Sequence, residues 1–407
     1  MGVPKGDRIG TFLAPMQVKA PAVSTVPDKG EPASSCRPGR SENRATSFPV
    51  IALLGKKDVP TDGVEDYWRF LSPAMGDRGY RVEIVRVPWE DIGWVRACVR
   101  LWQESREWKG KAVLVQYTAL MWSRRGLPLA FLGILLILKA RGVHLITVFH
   151  DVAPYPGERL IDRIRRVCQL WVLRKAYGWT RASVVTVPME EVAWLPQPPM
   201  RADFIPIGAN IPAIPAFHTL SCNGDSAKTI GVFTVTDAGD ISQEVLAITQ
   251  AAKVAANHLP HVRLVTLGRG SRESEPKFRK ALAGSAVDYQ ALGVLPADEV
   301  ARVLANCDVS LFARGRITTQ RGSAIASICC FLPLVGYAEA CLPDPLAKAG
   351  IVGVSWGDHE ALAEAVVKVL TDDGLWRELH ERSRRAYSKY FSWDAVAGKM
   401  AELLYRG

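Results

Sequence analysis

The sequence lacks the short signatures that would assign a chemistry at once. Its eight cysteines form no Cys-x-x-Cys pair and no Cys/His ladder, which leaves little support for zinc or dithiol chemistry, and no metal site is expected. Thiols scattered through a long chain fit a reducing compartment, so a cytoplasmic location is expected. There is no Gly-x-Gly-x-x-Gly and no nucleic-acid recognition motif, so the net charge of +10 is not read as DNA or RNA binding. Such a charge favours an anionic partner, and a phosphorylated small molecule or an acidic lipid remains open. The first 20 residues hold no continuous apolar core of the kind a secretory signal needs. The longest apolar run, Leu127 to Leu138, stops at Lys139, well short of the about 20 residues of a spanning helix. A buried or surface-docking helix is expected there instead.

What is present is length and alternation. A chain of 407 residues, 48% hydrophobic and 23% charged, can build two domains of about 150–200 residues each. Residues 1–47 are rich in Pro, Ser, Gly and charge without periodicity and read as a disordered extension. Order is expected from the apolar run Pro49-Val50-Ile51-Ala52-Leu53-Leu54 and the glycine after it, the pattern of a buried parallel strand. Strand and helix patterns then alternate to residue 205. A Pro-rich connection covers 206–228, and the alternation restarts over 229–390. The predicted architecture is α/β: two Rossmann-like domains with parallel sheets facing a central cleft.

Ligands of such sheets bind beyond the carboxyl ends of the strands, so the candidate residues are sought there. Thr61, Asp62 and Gly63 form a loop after the first strand, where a glycine before a helix lets backbone N–H groups approach a ligand; an ordinary turn is the alternative. His150 and Asp151 come directly after the strand LITVF. The imidazole could bond a sugar hydroxyl or shuttle a proton, with Asp151 orienting it or capping the next segment; a structural histidine is the alternative. Gly208 and Asn210 lie where the two halves should meet and are candidates for binding the donor; a loop with ordinary turn chemistry is the alternative. Gly268, Arg269 and Gly270 come after the strand VRLVTL as a candidate phosphate clamp. The segment from Phe312 to Ser323 carries Arg314, Arg316 and Arg321 ahead of a helix. Arg321, Gly322 and Ser323 there are the strongest candidates for holding a diphosphate, because the helix dipole and the arginine charge coincide. Ser323 is also a good N-cap by residue type. A basic amphipathic helix is expected from Arg159 to Lys175, lying on an anionic membrane surface, beside a lipid-linked acceptor, or simply solvated.

Several of these pieces, in order, resemble family 4 of the GT-B glycosyltransferases: DGVEDYWRFLSPAMGDRGYRVEIV, VFHD, IPIGANIP, ALGVLPADEVARVLANCDVSLF, GSAIASICCFLPLVGY, GDHEALAEAVVKVLTDDGLW and FSWDAVAGKM. The resemblance spans residue 49 to the C-terminus. It implies a GT-B fold and retaining transfer of a sugar from a nucleoside-diphosphate-sugar co-substrate to a glycan or lipid-linked acceptor in surface polysaccharide or glycolipid assembly. It also implies no cofactor, usually no metal, and a last helix, here within 391–407, that crosses back to the first domain. His150 matches the family's active-site histidine. The sequence departs from the pattern where the family commonly carries two glutamates before the proline equivalent to Pro333: those places hold Thr318 and Ala326. A sugar-nucleotide epimerase on the same fold, or a scaffold without turnover, are the rival expectations.

Overall fold

Runs of aliphatic and β-branched residues, buried on both faces, form twelve strands in two parallel sheets of six among the described residues. The computed structural model describes residues 47–58, 62–214, 227–236, 241–338 and 342–406. All of them lie within one compact unit, Ala45–Gly407. The expected disordered extension falls almost wholly outside the described residues, as do Thr61 and the middle of the 206–228 connection.

The first sheet contains β1 (Phe48–Leu54), β2 (Tyr80–Arg86), β3 (Ala112–Tyr117), β4 (His144–Phe149), β5 (Ala182–Val185) and β6 (Ala202–Phe204), in the order β2-β1-β3-β4-β5-β6. The chain runs one way from β1 to β2 and then jumps back past β1 to β3. Right-handed crossovers therefore put α1 (Gly63–Gly76) on one face. The short α2 (Trp89–Ile92) leads into α3 (Trp94–Glu104), which lies on the other face with α4 (Leu129–Ala140) and α5 (Leu160–Trp179). The helix α4 packs against both α3 and α5. It contains most of the long apolar run, and Phe131, Leu132, Ile134, Leu135 and Leu138 are buried. Among the described residues no helix is long and apolar enough to cross a membrane.

The second sheet contains β7 (Lys228–Phe233), β8 (Val262–Leu267), β9 (Val287–Gly293), β10 (Val309–Arg316), β11 (Leu334–Tyr337) and β12 (Ile351–Val354), in the order β12-β11-β10-β7-β8-β9. Its helices are α6 (Ser242–His258), α7 (Ser271–Leu282), α8 (Ala297–Ala305), α9 (Gly322–Cys329), α10 (His359–Thr371) and α11 (Asp373–Ala386). The direction reverses between β7 and β10, which makes that strand pair the switch point of this sheet.

After a π-helical turn at Tyr387–Phe391 the chain returns to the first sheet as α12 (Trp393–Arg406), which packs on α1. Val396, Ala397, Met400 and Leu403 of α12 are buried with the first sheet's core. Trp393 anchors the crossing: its ring stacks on Phe70 at 5.9 Å and meets Tyr67 edge-on at 5.3 Å. Its Nε1 donates to the Ala209 carbonyl at 2.7 Å. Gly208 lies beneath the indole so closely that a Cβ there would stand 2.8 Å from ring carbons. Trp393→Ala is expected to lower the unfolding free energy by about 3 kcal/mol, through lost burial and the cavity left behind. Urea unfolding should show this as a lower midpoint, while Glu402→Ala on the exposed side of the same helix leaves the midpoint in place.

Candidate functional site

The carboxyl ends of the two sheets face one another across a cleft of about 660 Å³, with Asp62, Gly63, Tyr67, His150, Asp151 and Thr186 on the first sheet's side and Thr318, Gln320, Arg321 and Gly322 on the second's. A second cavity of about 430 Å³ opens beside it, between the ends of β7 and β8 and the start of α8, and is lined by Thr234, Gly268, Arg269, Val294, Ser323 and Ala326 among others. Gly63, Asn210 and Gly322 line both. The first turn of α9 thus stands where the two spaces meet.

The loop at the first sheet's side is shaped by local capping. Asp62 accepts the Val64 and Glu65 N–H groups at 3.1 Å each through one oxygen, and its other oxygen takes Arg86 at 2.7 Å. Burial alone would raise this carboxyl, but the Glu65 N–H and the Arg86 guanidinium hold it below the usual carboxylate range. Both of its oxygens are therefore occupied, and Asp62 builds the loop and starts α1. The Gly63 carbonyl accepts from Asn210 Nδ2 at 3.1 Å, which ties this loop to the segment after β6. Gly208 lines neither cavity; it serves the contact with Trp393.

His150 directly follows β4, half-buried, with its ring edge-on to Tyr67 at 5.4 Å. Its ring is oriented by Gln116 rather than by Asp151. Gln116 is fully buried near the end of β3 and donates through Nε2 to the Leu114 carbonyl at 3.0 Å. That bond turns the Gln116 amide oxygen to His150 Nε2 at 2.8 Å. An oxygen there requires the proton on Nε2 and leaves Nδ1 as the acceptor. Burial pushes the imidazole down to about 4, against the pull of the Asp62 charge, so His150 is neutral at pH 7. Asp151 lies beside it and accepts the Ala119 N–H at 2.9 Å. Desolvation by the cleft wall raises its carboxyl although the residue is open to solvent at one side. Sequence reasoning passed over Gln116. The available signal was a polar side chain inside the otherwise apolar strand AVLVQY.

The second sheet's side departs from the sequence reading in three places. The strand β10 does not stop at Phe312 but continues to Arg316, because Gly315 adopts a φ of 140° and the register to β11 shifts there. Arg314 and Arg316 therefore belong to the strand and line neither cavity; the Arg314 guanidinium lies 5.8 Å from the Phe312 ring. Only Arg321 of the three stands at the helix start, as the N-cap of α9 and without a side-chain capping bond. Its side chain is exposed, with no side-chain partner among the described residues. Ser323 is not the cap: α9 begins at Gly322, which puts Ser323 inside the first turn. Its Oγ is buried and has no hydrogen-bond partner, an arrangement that calls for a ligand or water at that point. Gly270, read as part of a phosphate clamp, is instead the left-handed N-cap of α7, which starts at Ser271, and lies outside both cavities.

Four contacts cross the cleft. Gln320 Nε2 donates to the His150 carbonyl at 2.5 Å and to Thr186 Oγ1 at 2.9 Å, and Thr319 Oγ1 donates to the Thr186 carbonyl at 2.6 Å. Arg269 reaches Asp58 at 3.5 Å. A further unanticipated residue is Thr234, which lines the smaller cavity at the end of β7 with a φ of 70°. A β-branched residue in that region is strained.

No protein-family model and no curated protein sequence matches the chain. Solved structures do. The chain is similar to a glycosyltransferase from Rickettsia africae (13% identity, TM-score 0.63, covering 88% of this chain and 98% of that one). It is similar also to Anabaena HepE in complex with UDP and glucose (12%, 0.60, 88% and 100%) and to sucrose-phosphate synthase from Thermosynechococcus elongatus (17%, 0.60, 88% and 98%). At these identities the likeness is one of fold, and the fold is that of the GT-B glycosyltransferases.

The His150 environment has a pH signature. An unfolded histidine takes up its proton near 6.5, whereas this one does so only near 4. Between those values the unfolded chain binds a proton that the folded chain refuses. The stabilisation is therefore complete above pH 6.5 and is lost as pH falls toward 4, at no more than about 1.4 kcal/mol per pH unit. Urea midpoints measured from pH 7 to 4.5 should fall more steeply for the native chain than for His150→Gln; parallel slopes would show that the imidazole is not buried neutral.

Proposed function

We propose that the protein is a glycosyltransferase that moves a sugar, with retention of configuration, from a nucleoside-diphosphate-sugar to a glycan or lipid-linked acceptor in cell-surface polysaccharide or glycolipid assembly. The observation that carries this reading is the first turn of α9 at the junction of the two cavities. A nucleoside in the smaller space and a sugar in the larger one put the diphosphate between them, at Gly322, Ser323 and Arg321. The N–H groups that open a helix have no intrahelical partner and attract an anion. The Ser323 hydroxyl adds a buried donor and Arg321 a cation free to form charge-assisted bonds.

In the reaction the bond between the anomeric carbon and the diphosphate oxygen breaks, and negative charge grows on the leaving phosphate. Donors already fixed at that place lower the barrier, since they need no reorganisation as the charge develops. Neutral His150 takes the part of a hydrogen-bonding wall for the sugar in this scheme rather than that of a cation. The acceptor comes from the first sheet's side, beside Asp151; its hydroxyl oxygen forms the new bond to the anomeric carbon on the face the diphosphate leaves, its proton passes to the departing phosphate oxygen, and closure of the cleft keeps water from the donor.

A scaffold without turnover is the second reading, favoured by Thr318 in the larger cavity and Ala326 in the smaller one, where the resemblance implies carboxylates. An epimerase is less well supported. It needs free acid or base groups, and Asp62, Asp151 and Asp58 of the cleft are each engaged by a hydrogen bond or ion pair. Calorimetry with a panel of nucleotide sugars, followed by product analysis, separates the three: free nucleoside diphosphate marks transfer, an isomerised donor marks epimerisation, and binding without products marks a scaffold. Arg321→Ala is expected to weaken binding of the nucleoside diphosphate roughly tenfold or more, the loss of one charge-assisted interaction. Ala326→Phe should abolish binding by filling the smaller cavity. Unchanged affinity in both would remove α9 from the site.

A further inference from the structure

A helix covering a soluble sheet normally turns one apolar stripe inward and a polar face outward. The helix α5 has two apolar stripes. Its inner side buries Val172, Leu173, Ala176 and Tyr177. Its outer side carries Leu160 (75% exposed), Ile164, Val167 (69%) and Trp171 at successive turns of the helix, all open to solvent. The same pattern recurs on α3, where Val95 (79%), Val99 and Trp102 are exposed while Ala97 and Leu101 are buried. Between them α4 exposes Leu129 and Leu136. The three helices are neighbours on one face of the first sheet, so these side chains form one outer surface, larger in apolar content than single exposed residues explain.

Cations are set among them. Arg159, Arg163, Arg174 and Lys175 are exposed and have no side-chain partner among the described residues. The one acid of α5, Asp162, is buried and bonded to Arg165 at 2.8 Å. On α3, Arg100 is paired with Glu104, and Glu107 and Glu158 stand at the margin; α5 itself is one-sidedly basic. The surface also runs up to the cleft. A side pocket of about 520 Å³, lined by Leu120, Arg124, Arg125, Asp151, Tyr155 and Arg165 among others, shares Leu120 and Asp151 with the main cavity. Its rim is braced from α5 by Gln169, which accepts the Tyr155 N–H and donates to the Gly126 carbonyl, both at 2.8 Å.

We propose that the outer face of α3, α4 and α5 docks on an anionic bilayer, with the α5 stripe seated among the headgroups, so that the acceptor entering through the side pocket is a lipid-borne one. The docking stands on the surface alone; the identity of the acceptor rests on the glycosyltransferase reading. An apolar stripe flanked by unpaired arginines is what an interfacial helix presents to acidic lipid. A second copy of the chain fits less well, because a two-fold contact would press this arginine-rich helix against itself.

The test is flotation of the full chain with phosphatidylcholine vesicles and with vesicles one-third phosphatidylglycerol, without any sugar donor. The chain should float with the anionic vesicles roughly tenfold more strongly than with the neutral ones, and the difference should shrink with salt. Val167→Glu with Trp171→Glu should reduce flotation roughly tenfold, as charge replaces the apolar contact. Arg163→Gln with Arg174→Gln should reduce it to a similar degree at low salt, and this pair decides the matter if the first disturbs folding. Nucleoside diphosphate affinity should be unchanged in both. No flotation by the native chain, flotation indifferent to both pairs, or a concentration-dependent dimer that Val167→Glu with Trp171→Glu abolishes would each overturn the proposal, the last by making the face a self-interface. Flotation without nucleotide affinity would sink the enzymatic reading and leave the docking intact; nucleotide affinity without flotation would do the reverse.

Discussion

The geometry of the cleft depends on the contact of Trp393 with Gly208. Each sheet has its own hydrophobic core. What fixes their mutual position is the pair of chain crossings, one after β6 and one into α12, and these meet where the indole lies on Gly208 and bonds the Ala209 carbonyl. One residue further on, Asn210 holds the Gly63 carbonyl. A half-buried aromatic contact, a hydrogen bond from its own ring nitrogen and a glycine that permits both form a stiff joint, since any larger residue at 208 would collide with the ring. The bonds of Gln320 and Thr319 to the ends of β4 and β5 lie across the gap and would break if the halves opened. A clamp at one side and hydrogen bonds across the mouth together hold the two halves in place.

Inside that cleft the electrostatics are sparse, which limits the chemistry available. Asp58, Asp62 and Asp151 of the larger cavity are engaged in capping or bonding, the histidine is neutral, and Thr318 and Ala326 stand where the resemblance implies carboxylates. The positive character comes from the start of α9, from Arg321 and Lys56 in the larger cavity and from Arg269 in the smaller one. On the function proposed above, such a site meets an anion with fixed donors and offers few acid and base groups. Transfer from a diphosphate leaving group suits it better than proton abstraction, because the leaving charge can be met by fixed donors alone. The basic, apolar outer surface of α3, α4 and α5 would add a second level of recognition, where the bilayer instead of a pocket selects the acceptor.

Periodicity made the α/β architecture and the existence of its elements legible, since a strand buried on both faces reads as an apolar run and its crossover helix as a 3.6-residue pattern. It also pointed to strand ends as the places to search, which is how His150, Gly268, Arg269 and Arg321 were singled out. It could not show that β10 runs four residues past Phe312, because that depends on Gly315 taking a φ that only pairing with β11 rewards. Nor could it distinguish Ser323 as a buried, unpartnered hydroxyl from a capping residue, because the start of α9 is set by the turn before it. The roles of Gln116 and Thr234 were likewise hidden: one acts through a side-chain bond to a neighbouring strand, the other through a backbone angle.

What the sequence determined by itself was therefore local: which segments are strand or helix, where glycine and proline interrupt them, and how much positive charge the chain carries. The tertiary structure alone decided which of those charges stay unpaired, which polar groups are buried without a partner, and which strand ends share one space. Those properties belong to pairs of residues far apart in the chain, such as His150 with Gln116 or Gly208 with Trp393, and chain order carries no distance between them.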